Sequence, residues 1–268
     1  MKIVIILILI FCLFLYWQNK GVTVSDIKYN NNKVPKEFIG YKIVQISDFH
    51  NTKFGKNLFN KIKSCNADIM VITGDMIDRR DYRLDIAVDF IRKIDIPIYF
   101  VSGNHEAWTY KYEEIKQAFL NENVIILENE KINIVKNKAK LNLHGVRDPG
   151  FMTEGYEFET PKDEINQYLK TKVDKSEFNI LLSHRPELME TYVDNEIDLV
   201  LTGHAHGGQI RLPFIGGLYA PSQGVLPKYD GGLYKENKTT MYLSRGIGKS
   251  KFPFRIFNRP EIVSITLY

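Results

Sequence analysis

Cysteine is nearly absent from this chain. Only Cys12 and Cys65 occur in 268 residues, the first inside an apolar run and the second on an expected helix. That rules out a disulfide framework, and neither residue has the spacing of a thiolate metal site. Blocks of like charge are missing too. The 36 Lys and Arg exceed the 32 Asp and Glu by a net +4, carried by scattered lysines. So weak a basic balance offers no electrostatic footprint for nucleic acid, and no such partner is expected. Internal repeats and low-complexity tracts are lacking as well. A hydrophobic content of 44% in a chain this long suits one sizeable core rather than disorder. Long apolar runs are confined to a single place, the amino terminus.

There, residues 3–17 form an unbroken apolar run between Lys2 and Lys20, closed by Tyr16 and Trp17. As a helix it spans roughly 22 Å at about 1.5 Å per residue, somewhat short of a ~30 Å hydrocarbon core. Three readings are open: an uncleaved single-pass anchor, a cleaved signal, and a buried core helix. Gln18 to Thr23 offers no small-x-small cleavage site, and the aromatic pair with flanking lysines suits an interfacial belt. The reading taken is an anchor or signal over 1–20 and one catalytic domain over 22–268. The charged start favours the amino terminus in the cytoplasm and the domain outside the membrane.

After an expected edge strand in Val22–Tyr29, strand and helix alternate. Strands are expected at Lys42–Ser47, Ile69–Thr73 and Ile98–Ser102, with helices near Lys56–Asn66, Arg83–Ile94 and Tyr112–Asn121. This is the pattern of βαβ units and a parallel sheet. Val124–Leu127, Ile132–Val135 and Leu141–Val146 read as a meander. A loop over Arg147–Glu159, a helix near Lys162–Lys170, and the strands NILLS and IDLVLT follow. A Gly-, Pro- and Tyr-rich loop over Pro213–Asn237 then leads to strands at Thr240–Ser244 and Ile262–Leu267. Loops of such length tend to be lids or binding walls.

Five of the apolar strands stop at a residue that binds metal well. These ends are Asp48-Phe49-His50, Gly74-Asp75, Gly103-Asn104-His105, His184 and Gly203-His204-Ala205-His206, and they hold five of the six histidines. Strand carboxyl ends are where open α/β folds place their chemistry. The period of two in Asp48-x-His50 and His204-x-His206 predicts side chains on the same side of an extended backbone. Any one such piece is commonplace; five in order, each behind an apolar strand, are not. Imidazole, carboxylate and amide donors without thiolate suit manganese, iron or zinc and argue against copper(I) and iron–sulfur clusters. Two divalent ions would outweigh Asp48 and Asp75 by about two charges and draw in an anion such as phosphate. Such a pair also brings a water to its nucleophilic form near neutral pH.

DFH, GDMID, GNHE, SHRPE and GHAHGGQ, in this order, resemble the calcineurin-like metallophosphoesterase superfamily. EFIGYKIVQISDFH, HGGQIRLP, SRGIG and NRPEI resemble its bacterial membrane-associated branch, which includes phosphodiesterases and a UDP-2,3-diacylglucosamine pyrophosphatase. The resemblance covers about residues 22–268. It implies an α/β fold, a two-sheet β-sandwich flanked by helices. It further implies two divalent metal ions, the first on Asp48, His50 and His206, the second on Asn104, His184 and His204, with Asp75 bridging. His105 would contact phosphate and protonate the leaving oxygen.

Other residues stay open at this point. Asp78 either orients His105 or caps the next helix. Glu106 fixes its loop or approaches a metal, His144 is structural, and Arg185 touches phosphate or forms a surface salt bridge. The tail Arg245–Arg259 steers an anionic substrate or meets lipid headgroups, or else is an exposed connection with packed phenylalanines. The function expected is membrane-tethered hydrolysis of a phosphodiester or pyrophosphate bond, the substrate being a phosphorylated small molecule or lipid. A phosphomonoesterase is the alternative within that class, and a non-catalytic metal-binding scaffold the alternative outside it. An amide- or lactam-cleaving zinc hydrolase does not suit the order of the ligands.

Overall fold

Alternation along short strands sorts the apolar side chains into layers. A computed structural model describes residues 1–151, 161–249, 252 and 254–268. The chain begins with α1 (Lys2–Lys20), β1 (Thr23–Tyr29), β2 (Lys42–Ile46), α2 (Lys56–Ser64), β3 (Ile69–Thr73), α3 (Leu84–Ile91) and β4 (Ile98–Val101). Next come α4 (Asn104–Trp108), α5 (Tyr112–Asn121), β5 (Ile125–Ile126), β6 (Glu130–Lys136), β7 (Ala139–Gly145), α6 (Pro161–Lys172), β8 (Asn179–Leu182), α7 (Met189–Asp194) and β9 (Leu199–Thr202). Four two-residue strands follow, β10 (Arg211–Leu212), β11 (Gly216–Gly217), β12 (Tyr219–Ala220) and β13 (Gly224–Val225), then β14 (Gly232–Glu236), β15 (Thr239–Leu243) and β16 (Glu261–Leu267).

Two six-stranded sheets result, ordered β1-β16-β2-β3-β4-β5 and β14-β15-β9-β8-β7-β6. In β2 and β3, Ile43, Ile69 and Val71 face the second sheet and meet Leu143, Ile180, Leu182, Leu199 and Leu201. Their neighbours Val44, Ile46, Met70 and Ile72 face the other way, onto Leu58 of α2, Phe90 of α3 and Phe119 of α5. The outer face of the second sheet packs Leu181, Val200 and Met241 on Leu169 of α6 and Tyr192 of α7. Helix, sheet, sheet and helix are therefore stacked as a sandwich, the expected fold class.

Several local expectations change. Val124–Leu127 holds only β5, which pairs parallel with β4 in the first sheet, so the expected meander reduces to the hairpin β6–β7. The stretch Pro213–Asn237 is not one loop but carries β11 to β14. Of the loop expected at Arg147–Glu159, only Arg147–Phe151 falls within the described residues. α1 stands clear of the sandwich, with Ile3 to Phe11 exposed and only Gln18 buried, which excludes the core-helix reading.

His144, near the carboxyl end of β7, is fully buried and has the structural place expected of it. Its Nε2 lies 3.0 Å from Asn179 Oδ1, and its Nδ1 lies 3.3 Å from the Tyr168 hydroxyl. Burial pushes its pKa down to about 4, which the bond to Asn179 offsets only in part. Between pH 6.5 and 4 the unfolded chain therefore holds a proton that native His144 refuses. Stability falls as pH drops through this window and levels off below it, by roughly 3 kcal/mol at 1.36 kcal/mol per unit. In urea unfolding at pH 6.5 and pH 4, His144→Gln should lose less stability than the wild type across this window by about that amount.

Candidate metal centre

The carboxyl ends of β2, β3 and β4 in one sheet and of β8 and β9 in the other open onto a common edge. Each strand ends before its functional residues begin, so these residues lie on the turns or, for Asn104 and His105, at the start of α4, rather than on extended chain. Asp48, His50, Asp75, His204 and His206 all have left-handed backbone, with φ of 52°, 44°, 56°, 72° and 50°. The period-two argument for Asp48-x-His50 and His204-x-His206 is therefore wrong in its reason. Non-glycine residues enter this region at a cost that surrounding structure must overcome. Glycine serves here mainly by its bareness. A Cβ on Gly203 would sit 1.9 Å from Ser47 Oγ, and one on Gly103 would sit 2.2 Å from Asp75 Oδ1.

Donor atoms gather in two groups that share Asp75. Asp48, His50, Asp75 and His206 form one; Asp75, His184 and His204 form the other. Within the first, His50 Nε2 faces His206 Nε2 at 3.1 Å, and these nitrogens lie 3.5 Å from Asp75 Oδ2 and 3.2 Å from Asp48 Oδ1 respectively. Within the second, His184 Nε2 lies 3.1 Å from His204 Nδ1 and 3.3 Å from Asp75 Oδ2. His184 donates its Nδ1–H to the Thr73 carbonyl at 2.7 Å, which turns its Nε2 inward toward Asp75. Asn104 Oδ1 is buried and finds no donor among the described residues.

Electrostatics make this a place for cations. Burial drives His50 down to about 3 and holds His204 and His206 well below the ordinary imidazole range, so these rings are neutral lone-pair donors. Burial, reinforced by Asp75, pushes Asp48 up to about 6. At His184 burial opposes the charge, but Asp75, Asp48 and Asp148 outweigh it and raise the pKa to about 10. Lone pairs outnumber the protons available to pair them, and oxygen and imidazole donors of this kind fit divalent manganese, iron or zinc. The residues present fit a two-metal site.

His105 lies beside the shared carboxylate. Its backbone N–H donates to Asp75 Oδ1 at 2.8 Å, and its ring meets that of His50 edge-on at 4.4 Å. Burial opposes its charge, but Asp75, Asp78 and Glu106 overcome that and raise its pKa. Asp78 Oδ1 lies 3.5 Å from His105 Nδ1, while the same carboxylate binds Arg80. α3 begins at Leu84, so Asp78 caps no helix and faces His105 instead. A cavity of about 640 Å³ opens over His105, Asn104, His204 and His206, with Trp108 and Tyr219 on its wall.

Two neighbours have roles that sequence reasoning did not resolve. Glu106 is fully buried and approaches no metal position. It accepts from the backbone N–H groups of Asp75 (2.8 Å), Gly103 (2.7 Å) and Ile77 (3.0 Å), so it fixes the turn that carries Asp75. Burial and the Asp75 charge lift its pKa to about 7. Its signal was present in the Gly-x-x-Glu spacing, half of a capping box. Arg185 is not on the surface, though it reaches the partly exposed Glu187 at 3.4 Å. It is buried against Asp148 at 2.6 and 3.0 Å, with Nη1 2.9 Å from His204 Nε2. Asp148 and Ser222, which also touches His204 Nε2 at 3.2 Å, lie in loops that carry no local signature.

A family model for calcineurin-like phosphoesterases matches residues 41–208. The chain belongs to the calcineurin-like phosphoesterase family. An uncharacterized metallophosphoesterase of Bacillus subtilis (strain 168), YkuE, is 29% identical over 94% of this chain and 87% of its own. A Danio rerio transmembrane protein with a metallophosphoesterase domain is 27% identical over 91% of this chain and 57% of its own. A dimetal phosphatase from Danio rerio shares the fold, with a TM-score of 0.50 at 11% identity over 78% of this chain and 88% of that one. This calcineurin-like phosphoesterase is thus a phosphoester hydrolase whose donor clusters sit where its five strand ends meet.

Removing the Glu106 carboxylate leaves three buried N–H groups without an acceptor, at about 1–3 kcal/mol each. Glu106→Ala should lose at least about 3 kcal/mol in urea unfolding, and its bound manganese, measured by elemental analysis, should fall because Asp75 is no longer held.

Proposed function

We propose that this phosphoesterase is a membrane-anchored dinuclear enzyme that cleaves a phosphodiester or pyrophosphate bond, with a lipid-linked phosphate as its substrate class. The observation that carries this reading is the pair of donor clusters joined through one carboxylate. Asp48, His50 and His206 would hold one divalent ion, Asn104, His184 and His204 the other, and Asp75 both. Ions so held would polarise a phosphoryl oxygen and lower the pKa of water. Residues 22–268 form the catalytic domain in this reading, and the membrane-associated branch is the part of the family it resembles.

The protein's own side chains supply the rest. His105, at the cavity wall with a raised pKa, keeps a proton to give to the leaving oxygen, and the carboxylates of Asp75 and Asp78 stabilise its charged form. Arg79 lines the same cavity and offers positive charge to the non-reacting part of an anionic substrate, while Arg80 is held by Asp78. A diester or pyrophosphate keeps such a part; a monoester has less of it.

α1 runs for 19 residues, about 28 Å at 1.5 Å per residue, which supports an uncleaved anchor. A relative named as a transmembrane protein supports it further. The domain is proposed to face outward from the cytoplasm, from the charged amino terminus alone.

In manganese-loaded full-length protein, Asp75→Asn and His204→Ala should each abolish hydrolysis of bis-p-nitrophenyl phosphate. Unchanged activity of Asp75→Asn at matched metal content would refute the bridging role. His105→Ala should retain its manganese and lose about 10²–10⁴-fold in kcat. Turnover of p-nitrophenyl phosphate above that of the diester would make the enzyme a monoesterase, and bound manganese without turnover of either ester would make it a scaffold.

A further inference from the structure

The carboxyl-terminal end of α1 is fastened to the domain at one spot. Asn19 Oδ1 accepts from Arg255 N at 2.9 Å, and Gln18 Oε1 accepts from Asn258 N at 3.3 Å. The Arg259 guanidinium lies 4.4 Å from the Trp17 ring centre, and Phe14 meets Phe257 at 5.5 Å. Phe14 precedes Lys20 by six residues, about 9 Å along the axis. Phe257 thus reaches alongside the apolar part of the helix, past its polar end.

Beside Phe257 the backbone forms a continuous ridge. Arg211 N donates to Ile256 O, Leu218 N to Ile210 O, and Leu226 N to Leu218 O, at 3.0, 2.9 and 2.9 Å. These bonds tie segment 254–257 to the hairpins β10–β11 and β12–β13. From the ridge project Phe214, Ile215, Val225, Leu226 and Phe257, all more than half exposed. Phe214 combines full exposure with a left-handed φ of 68°, an unfavourable setting for an aromatic residue in water. A groove of about 550 Å³ runs between the first hairpin and Phe257, with Arg211 and Lys228 at its edge. Apart from these, the tail's arginines are spent inside the protein. Arg245 pairs with Glu261, Arg255 donates to the carbonyls of Gly248 and Arg245, and Arg259 donates to that of Gly21. They are not free to steer a substrate.

We propose that this apolar ridge is a second membrane contact. The tip of the first hairpin, Val225 and Leu226 at the end of the second, and Phe252, Phe254 and Phe257 dip into the bilayer beside α1 and seat the domain in a fixed attitude. The inference rests on reading α1 as an anchor. It follows from the depth match, because a side chain level with Phe14 of a spanning helix lies at the boundary of headgroups and acyl chains, where partly inserted apolar faces reside. Arg211, which also pairs with Asp230, and Lys228 stand where anionic headgroups would meet them. Tyr219 and Phe252, from the same segments, line the cavity over His105 and His204. The active site then opens at headgroup level, and its substrate is a phosphate whose apolar part stays in the membrane.

The test uses the full-length protein in phosphatidylcholine–phosphatidylglycerol vesicles with an environment-sensitive fluorophore at one of three thiols. These are native Cys12, Phe214→Cys and Lys138→Cys, the last two in a Cys12→Ser background; Cys65 is buried. Doxyl-labelled phospholipid should quench Cys12 and position 214 to a similar extent, and aqueous iodide should quench only position 138. Lipid quenching at Cys12 with position 214 open to iodide overturns the ridge proposal and leaves the anchor standing. Protection of position 214 from both quenchers means that protein, such as a second copy, covers the ridge, and it also overturns the proposal. No lipid quenching at Cys12 overturns the anchor reading and this inference with it.

Discussion

Everything in the centre turns on a single carboxylate shared between two sets of imidazoles. Asp75 is buried at the tip of β3, within 3.5 Å of His50 and 3.3 Å of His184, and it also accepts the backbone N–H of His105. An anion in that position, beside the second buried carboxylate of Asp48, needs positive charge nearby. The fold leaves no room to relieve this by movement. Glycines 103 and 203 pack their bare Cα atoms against Asp75 and against Ser47 and Asp48, and Glu106 clamps the turn from behind. Five left-handed backbones at the donor residues are the conformational cost of that arrangement, and the two sheets bear it.

The chain advertised this site unevenly. Strands β2, β3, β4, β8 and β9 were legible because each is a short apolar run between polar turns, and their order fixed which donors face one another. So were the side chains those turns bring together. Conformation at the donors was not, since the period of two holds only for extended chain and β2 and β9 end before Asp48 and His204. Val124–Leu127 was misplaced because an apolar run that short says nothing of its partner; β5 joins β4 across α4 and α5. The ion pair of Arg185 with Asp148 joins residues 37 apart in sequence through side chains alone, and no local pattern announces it. The stretch Pro213–Asn237 read as loop because β11, β12 and β13 are two residues long and the stretch is rich in glycine.

Sequence and structure also divide the aromatic residues differently. The phenylalanines of the first sheet's outer layer, Phe90, Phe100 and Phe119, sit at strand and helix spacings that mark them as core. Those at 214, 252, 254 and 257 have no such spacing, and they end up on one side of the molecule, around the exit of α1. A hydrophobic residue in a turn carries no periodicity, so only the fold reveals that these gather.

The last strand, β16, lies between β1 and β2 and pairs with both. The first sheet therefore stays split, with β1 detached from β2, until residues Glu261–Leu267 have left the ribosome. Closing the first sheet thus brings Thr23–Tyr29 beside Glu261–Leu267, a pairing between distant parts of the chain that makes its folding slow.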